Sequence, residues 1–294
     1  MRATVLSNLQ FLPSYYLMRL RVPGCPAAFS PGQFAMVRAA AVGDPFLPRA
    51  FSILRAARAR DPAGEQRGRG PGTEIEIVYK ALGRGTTLLS GLERGNAVEV
   101  LGPLGRGFRP AQGPAVCVAG GVGVPPIVAL AESLARRPAP KRRGPTRRRQ
   151  SSVLSPRPLV LVGGRTKEDV LGVADFRRAG CAVQVATDDG SLGRHGLVTD
   201  LLEEWLEKHR NGHGNGGGTG RLTLYACGPE GMLRAVHRIA LREGLPCQLC
   251  LEANMACGFG ACMGCAIPVV GEGMGMYKLC CKDGPVFEAR ELRW

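Results

Sequence analysis

The chain has 294 residues, room for two or three domains at roughly 100–200 residues each. A 45% hydrophobic content excludes global disorder, and 42 glycines, 22 prolines and 5% aromatics argue against a helical bundle or coiled coil. The net charge of +15 is local: nine cations and no acid lie between residues 134 and 158, and five arginines face only Asp61 and Glu65 in 55–72. The basicity therefore belongs to two insertions without interleaved aromatics, which argues against a nucleic-acid-binding protein.

Taken in chain order, the first residues, MRATVLSNLQ, lack the basic, apolar and small-residue run of a signal peptide, so a cytoplasmic location is expected. Tyr15–Val22, Gln33–Arg38, Ala50–Leu54, Glu74–Tyr79 and Ala97–Val100 are short apolar or alternating runs separated by Gly/Pro clusters. That spacing predicts a small β-barrel. Residues 56–72 read as a disordered hairpin loop, and LGPLGRGF (101–108) as a crossover between domains.

From about residue 114 strand and helix alternate. PAVCVAG, PLVLVGG, CAVQVATDD and RLTLYACGP are short apolar strands. Helical runs follow them at IVALAESLARR, Lys167–Ala179, Leu197–Lys208 and Glu230–Glu243. This pattern predicts an α/β doubly wound parallel sheet. Residues 136–157 form a basic insert and 211–220 a flexible Gly-rich loop. The apolar run at 115–131 is interrupted by Gly120, Gly121, Gly123, Pro125 and Pro126 and is too short to span a membrane. Beyond 246 the chain reads as a small cysteine-rich module. The expected domains are 1–108, 109–245 and 246–294.

Eleven cysteines are present, and five crowd into the last 40 residues. Cys257, Cys262 and Cys265 form C-x4-C-x2-C, and Cys280 and Cys281 follow. C-x4-C-x2-C with a distant fourth cysteine is the plant-type [2Fe–2S] spacing, whereas structural zinc sites use paired C-x2-C knuckles. Spacing leaves Cys280 and Cys281 as competing fourth ligands. Gly258, Gly260 and Gly264 let the backbone wrap a cluster. Cys247 and Cys250 are expected to pack beside the fourth strand.

Three further motifs point to nucleotides. Gly120, Gly121 and Gly123 lie between a buried strand and a helix, where a pyrophosphate can approach the backbone. Arg49-Ala50-Phe51-Ser52, together with Gly85 and Thr86, supplies a guanidinium fork, backbone N–H groups and hydroxyls for an anion. Cys227-Gly228-Pro229 ends the last parallel strand, where ligands of such sheets bind.

The order of these elements resembles the ferredoxin–NAD(P) reductase superfamily and, within it, the electron-transfer subunits of NAD-dependent dihydroorotate dehydrogenases. The motifs are R-x-F-S, G-x-G-T, G-G-x-G-x-P-P, C-G-P-E-G-M, C-x4-C-x2-C and C-K-D-G-P-V-F. GGRTKEDVL (Gly163–Leu171) and the stretch Asp188–Asp200 are also typical. The resemblance implies a β-barrel flavin domain, an α/β nucleotide domain and a C-terminal iron–sulfur module. It implies FAD, a [2Fe–2S] cluster and NAD as substrate. Arg49 would hold the FAD pyrophosphate and Ser52 would lie near the flavin ring. Val78, Tyr79 and Lys80 would line the flavin, and Gly85 and Thr86 its phosphates. The family places the last cluster ligand directly before x-D-G-P-V-F, which selects Cys281. Ala50 departs from the proline usual at that position.

The implied partner is an FMN-containing catalytic subunit that oxidises dihydroorotate, in a heterotetramer with two copies of each chain, within pyrimidine biosynthesis. The alternative is the same module serving a hydrogenase or a ferredoxin–NADP reductase complex. Asp188 or Asp189 is expected to favour NAD over NADP, against the competing signal of Arg165.

Overall fold

A computed structural model of the chain describes residues 1–39, 46–59, 72–136, 157–209, 222–271 and 276–294. Most of the loop expected at 56–72, the basic insert 136–157 and the Gly-rich loop 211–220 lie outside the described residues.

Six strands close the barrel in the order β1-β2-β5-β4-β3-β6. They are β1 (Arg2–Leu12), β2 (Tyr15–Val22), β3 (Phe34–Ala39), β4 (Arg49–Arg58), β5 (Thr73–Lys80) and β6 (Ala97–Leu104). In β5 burial alternates along the strand: Thr73, Ile75, Ile77 and Tyr79 point inward while Glu74, Glu76, Val78 and Lys80 point outward. Helix α1 (Arg84–Ser90) closes one end with Leu89 in the barrel core.

The second unit is a seven-stranded sheet. Its first parts are β7 (Ala115–Gly120), α2 (Val124–Ala135), β8 (Leu159–Gly164), α3 (Val173–Arg178), β9 (Ala182–Thr187), β10 (Arg194–His195) and α4 (Val198–His209). Then follow β11 (Thr223–Cys227), α5 (Glu230–Arg242) and β12 (Cys247–Cys250). The order is β10-β9-β8-β7-β11-β12, closed at the far edge by β15 (Val286–Glu288). All pairings but the last are parallel. One face is covered by α2 and α3 and the other by α4 and α5, so β7, β8 and β11 are buried on both sides. The doubly wound sheet expected from the sequence is present. Chain order reverses between β7 and β11, which opens a crevice at their carboxyl ends.

The structure refines several expected elements. β1 is the longest strand and is paired on both sides. Residues 101–104 belong to β6, so the crossover starts only at Gly105. The helix expected over Lys167–Ala179 is broken: a 3-10 turn at Lys167–Asp169 precedes α3, and between them Gly172 sits at φ +73°. A side chain there would meet Val124 Cγ1 at 2.6 Å. The C-terminal segment is tied to the large sheet at both ends, since β12 and β15 pair with each other. Between them a hairpin of β13 (Ala266–Pro268) and β14 (Tyr277–Leu279) leads into α6 (Cys280–Asp283).

Barrel and sheet share an apolar junction. Tyr15, Leu54, Leu17 and Val78 of the barrel pack with Val124, Ile127 and Val128 of α2. Polar groups frame it: Arg55 pairs with Glu132 at 2.7 Å, with Asp175 at 2.8 Å and with Glu76 at 3.4 Å.

Candidate nucleotide crevice and cysteine loop

The β4–β5 ladder ends at Ile53 opposite Ile77. Beyond it, residues 49–52 and 78–80 face one another without pairing, although β4 is still paired to β3 and β5 to β2. The result is a slot edged by backbone N–H and C=O groups that need partners. Strand alternation divides the predicted residues around it. Phe51 and Tyr79 point into the barrel core, their ring centroids 5.5 Å apart. The Tyr79 hydroxyl donates to Asn8 Oδ1 at 3.0 Å. Ala50 and Val78 pack outward against the second unit, and Ser52 shares their face.

Arg49 lies at the end of the slot beside α1. Its guanidinium lies against Gly85, where an added Cβ would be 3.0 Å from Nε. Nη1 donates to the Leu47 carbonyl at 2.8 Å. The Thr86 hydroxyl is used locally: it accepts from the Leu82 and Gly83 amides and donates to the Gly83 carbonyl. Lys80 turns away from the slot and donates to Asp169 Oδ1 at 2.9 Å.

The slot opens toward the β7–α2 turn, because β5 lies against Gly121–Gly123. Gly121 has φ +52° and open space where a side chain would stand. Gly123 does the opposite. A Cβ there would overlap the Cys227 carbonyl and the Gly228 amide nitrogen. At Gly228 it would meet Met232 Cε at 2.5 Å, and at Gly120 it would meet Pro229 Cδ at 3.2 Å. The two loops at the switch point therefore touch backbone to backbone. The Cys227 side chain is fully buried, and its thiol is raised by a hydrogen bond with Cys250 and by burial. At the end of β9, Asp189 Oδ1 accepts from the Ser191 amide and hydroxyl, at 3.0 and 2.6 Å. Asp188 donates its amide to the Gly164 carbonyl.

The cysteines are gathered by the β13–β14 hairpin. Ala266 opposite Leu279 puts Cys265 beside Cys280, whose amide donates to the Cys265 carbonyl at 3.0 Å. The Cys281 amide points at Cys265 Sγ at 3.4 Å. The thiols form two pairs, Cys257 with Cys262 and Cys265 with Cys281. Burial would raise Cys257, but amides of Cys262, Phe259 and Ala261 and the Cys262 thiol outweigh it and bring it down to about 6. Burial pushes Cys281 up to about 12 despite the Gly260 amide directed at it. Cys280 turns the other way, toward the Leu251 carbonyl at 3.7 Å. Gly258 and Gly260 hold φ of +83° and +94°, which lets these amides turn inward. Among the described residues no three Cys, His, Asp or Glu side chains form a single-ion site. Two thiol pairs are a donor set that fits a [2Fe–2S] cluster, in which each iron takes two thiolates.

The loop also packs on the barrel. A Cβ at Gly258 would be 2.5 Å from Met36 Cγ and 3.1 Å from Leu104 Cδ1. Met36 lies directly opposite Ala50 in the β3–β4 ladder. One residue layer thus separates the cysteine loop from the slot. Among the described residues no helix is long and apolar enough to cross a membrane.

Residues 252–293 match the iron–sulfur cluster binding domain of dihydroorotate dehydrogenase B. The chain is 35% identical over 295 residues to the dihydroorotate dehydrogenase B (NAD(+)) electron transfer subunit of Geobacillus thermodenitrificans, covering 99% of this chain and 97% of that protein. It is 31% identical to the subunit of the same name from Desulforamulus reducens, covering 99% and 97%. Among solved structures, an NADH-dependent reduced ferredoxin-NADP oxidoreductase aligns with TM-score 0.73 and 23% identity, over 99% of this chain and 89% of that one. A ferredoxin reductase of carbazole 1,9a-dioxygenase aligns with TM-score 0.61 and 22% identity, over 84% and 66%. These two share the fold. The full-length sequence relatives carry more, and the chain belongs to the family of dihydroorotate dehydrogenase B (NAD(+)) electron transfer subunits.

Proposed function

We propose that the chain carries electrons from a catalytic subunit that oxidises dihydroorotate to NAD⁺, using a [2Fe–2S] cluster and FAD. The single observation that carries this reading is the close packing of the cysteine loop, the barrel slot and the glycine crevice. Gly258 abuts Met36, Met36 pairs with Ala50, and β5 lies against Gly121–Gly123.

Cys257, Cys262, Cys265 and Cys281 would hold the cluster. Support comes from their two thiol pairs and the amides directed at Cys257 and Cys281. Arg49 and the first turn of α1 at Gly85 would hold the FAD pyrophosphate, with Thr86 shaping that turn. The free edges at Ala50–Ser52 and Val78–Lys80 would hydrogen-bond the flavin rim. Phe51 and Tyr79 act from inside the barrel, by fixing the two strands. Gly120, Gly121 and Gly123 would admit the NAD pyrophosphate, and Cys227, Gly228 and Pro229 would form the floor below the nicotinamide. Asp188, whose side chain is free of the turn that occupies Asp189, would favour the unphosphorylated ribose. When bound, a flavin exchanges electrons singly with an iron–sulfur centre and in pairs, as hydride, with nicotinamide. The residues named orient the groups and exclude water; none need act as an acid or base.

The partner is read as an FMN-containing subunit, assembled with two copies of each chain in the cytoplasm. Phe259 and Met263, close in sequence to the exposed Cys262, are 58% and 60% exposed, and Tyr277 of the adjoining hairpin is 61% exposed. Exposed apolar side chains on the cysteine loop and its hairpin suit a protein that must be brought close to the cluster. Co-expression with the catalytic subunit tests the reading. A co-purifying complex that reduces NAD⁺ with dihydroorotate supports it, and a complex active only with a ferredoxin or hydrogen would favour the alternative module.

A further inference from the structure

Two polar clusters join the barrel to the sheet, and they sit in different places. Arg55 lies on the flank, between β4, α2 and α3. The other cluster lies at the mouth of the crevice. Asp169, in the turn after β8, accepts from Lys80 Nζ at 2.9 Å and from the Tyr15 hydroxyl at 2.8 Å on the same oxygen. Lys80 Nζ also lies 4.7 Å from the centre of the Tyr15 ring. Arg165 Nε approaches the other carboxylate oxygen at 3.6 Å. The Lys80 and Asp169 side chains are 20% and 16% exposed, so solvent screens them little.

Each arm of this cluster leads to one half of the proposed site. Lys80 is the last residue of β5, the strand that edges the slot and touches the Gly121–Gly123 turn. The turn carrying Asp169 is bonded to the end of β9: the Asp188 and Asp189 amides donate to the Gly164 and Arg165 carbonyls, and the Lys167 amide donates to Ser191 Oγ. Asp169 therefore links the nucleotide loops to the end of the slot strand through Lys80, and to the apolar junction through Tyr15.

We infer that Asp169 is a positioning residue for hydride exchange, setting the distance between the nicotinamide crevice and the flavin slot through Tyr15 and Lys80. This rests on the flavin–nicotinamide reading above. Hydride transfer is steep in distance, with a misplacement of about 1 Å costing on the order of a hundredfold. A latch that relaxes by part of that distance slows transfer while leaving both binding sites intact.

The test is anaerobic stopped-flow reduction of the cofactor-loaded chain by NADH. In Asp169→Asn the limiting rate of flavin bleaching should fall about tenfold. Bound FAD, iron content and the apparent Kd for NADH should stay within about twofold of wild type, a pattern that a merely structural role does not produce. Tyr15→Phe should give a smaller loss. The double variant should be no slower than Asp169→Asn alone, because both act through one contact. Arg55→Met, on the flank, should lower Tm without changing the limiting rate. A limiting rate within twofold of wild type in FAD-loaded Asp169→Asn overturns the inference. Should that variant not retain FAD, an unchanged rate in Tyr15→Phe overturns it equally. A wild-type chain that binds FAD but is not reduced by NADH overturns the functional reading, and this inference with it.

Discussion

The nucleotide crevice and the cysteine loop are built in opposite ways. The crevice is made of backbone. Gly123 packs on Cys227 and Gly228, and Gly120 on Pro229, so its shape is complete without any ligand. The cysteine loop is made of donors. Its hairpin brings Cys265 to Cys280 and Cys281; Cys265 and Cys281 are buried in the core, while Cys262 is exposed and Cys257 half-buried. Changes in the first region should therefore act through sterics whatever is bound. Changes in the second should act chiefly through ligation, with only the modest packing change that exchanging one buried sulfur for oxygen brings.

The largest expected effect is chemical. Cys281→Ser should abolish the [2Fe–2S] absorption and its EPR signal, while Cys280→Ser should leave both near wild type. The contrast follows from direction: Cys281 faces Cys265, and Cys280 faces the Leu251 carbonyl. A cluster that survives the first change and not the second would reverse the assignment.

The next effect is steric. Gly123→Ala should cost about 3 kcal/mol, since backbone rather than a flexible side chain must move. Gly121→Ala, at φ +52° in open space, should cost only about 1 kcal/mol. Urea denaturation of both variants measures the difference. Equal costs would mean that the two loops do not touch at Gly123.

The smallest effect concerns the junction between the regions. Burial alone would raise the Asp169 carboxyl, but hydrogen bonds from Lys80 and Tyr15 outweigh it and hold it below the ordinary value. A depressed carboxyl stabilises the fold above its unfolded pKa, about 3.9, and that contribution disappears as pH falls through the folded value. Asp169→Asn should thus cost about 1 kcal/mol at pH 7 and progressively less below pH 4. Tm measured against pH for both proteins should converge in acid; parallel curves would remove the carboxylate from the account.

Much of this was legible in the sequence because the signals are local. The continuous apolar runs of β7, β8 and β11 announce strands buried on both faces. The C-x4-C-x2-C spacing survives any folding of the intervening chain. Other features lack a local signal. In β1 alternation holds only to Val5; a register shift follows, and Leu9 and Phe11 face solvent, so the run does not read as a strand. Helix α1 has seven residues, too few to show a helical period. Gly102 and Pro103 mask the end of β6. Tyr79 and Lys80 follow one another in a motif, but alternation sends one into the barrel and the other to Asp169, 89 residues away. That partner is chosen by docking of the two units, which no spacing rule reports.

The most direct test of the central claim is an anaerobic titration of the purified chain with NADH, followed by visible absorbance and low-temperature EPR. The account predicts bleaching of a flavin spectrum together with a [2Fe–2S] EPR signal approaching about one spin per chain. Flavin bleaching without any EPR signal, from a protein whose cysteines hold zinc, would contradict it.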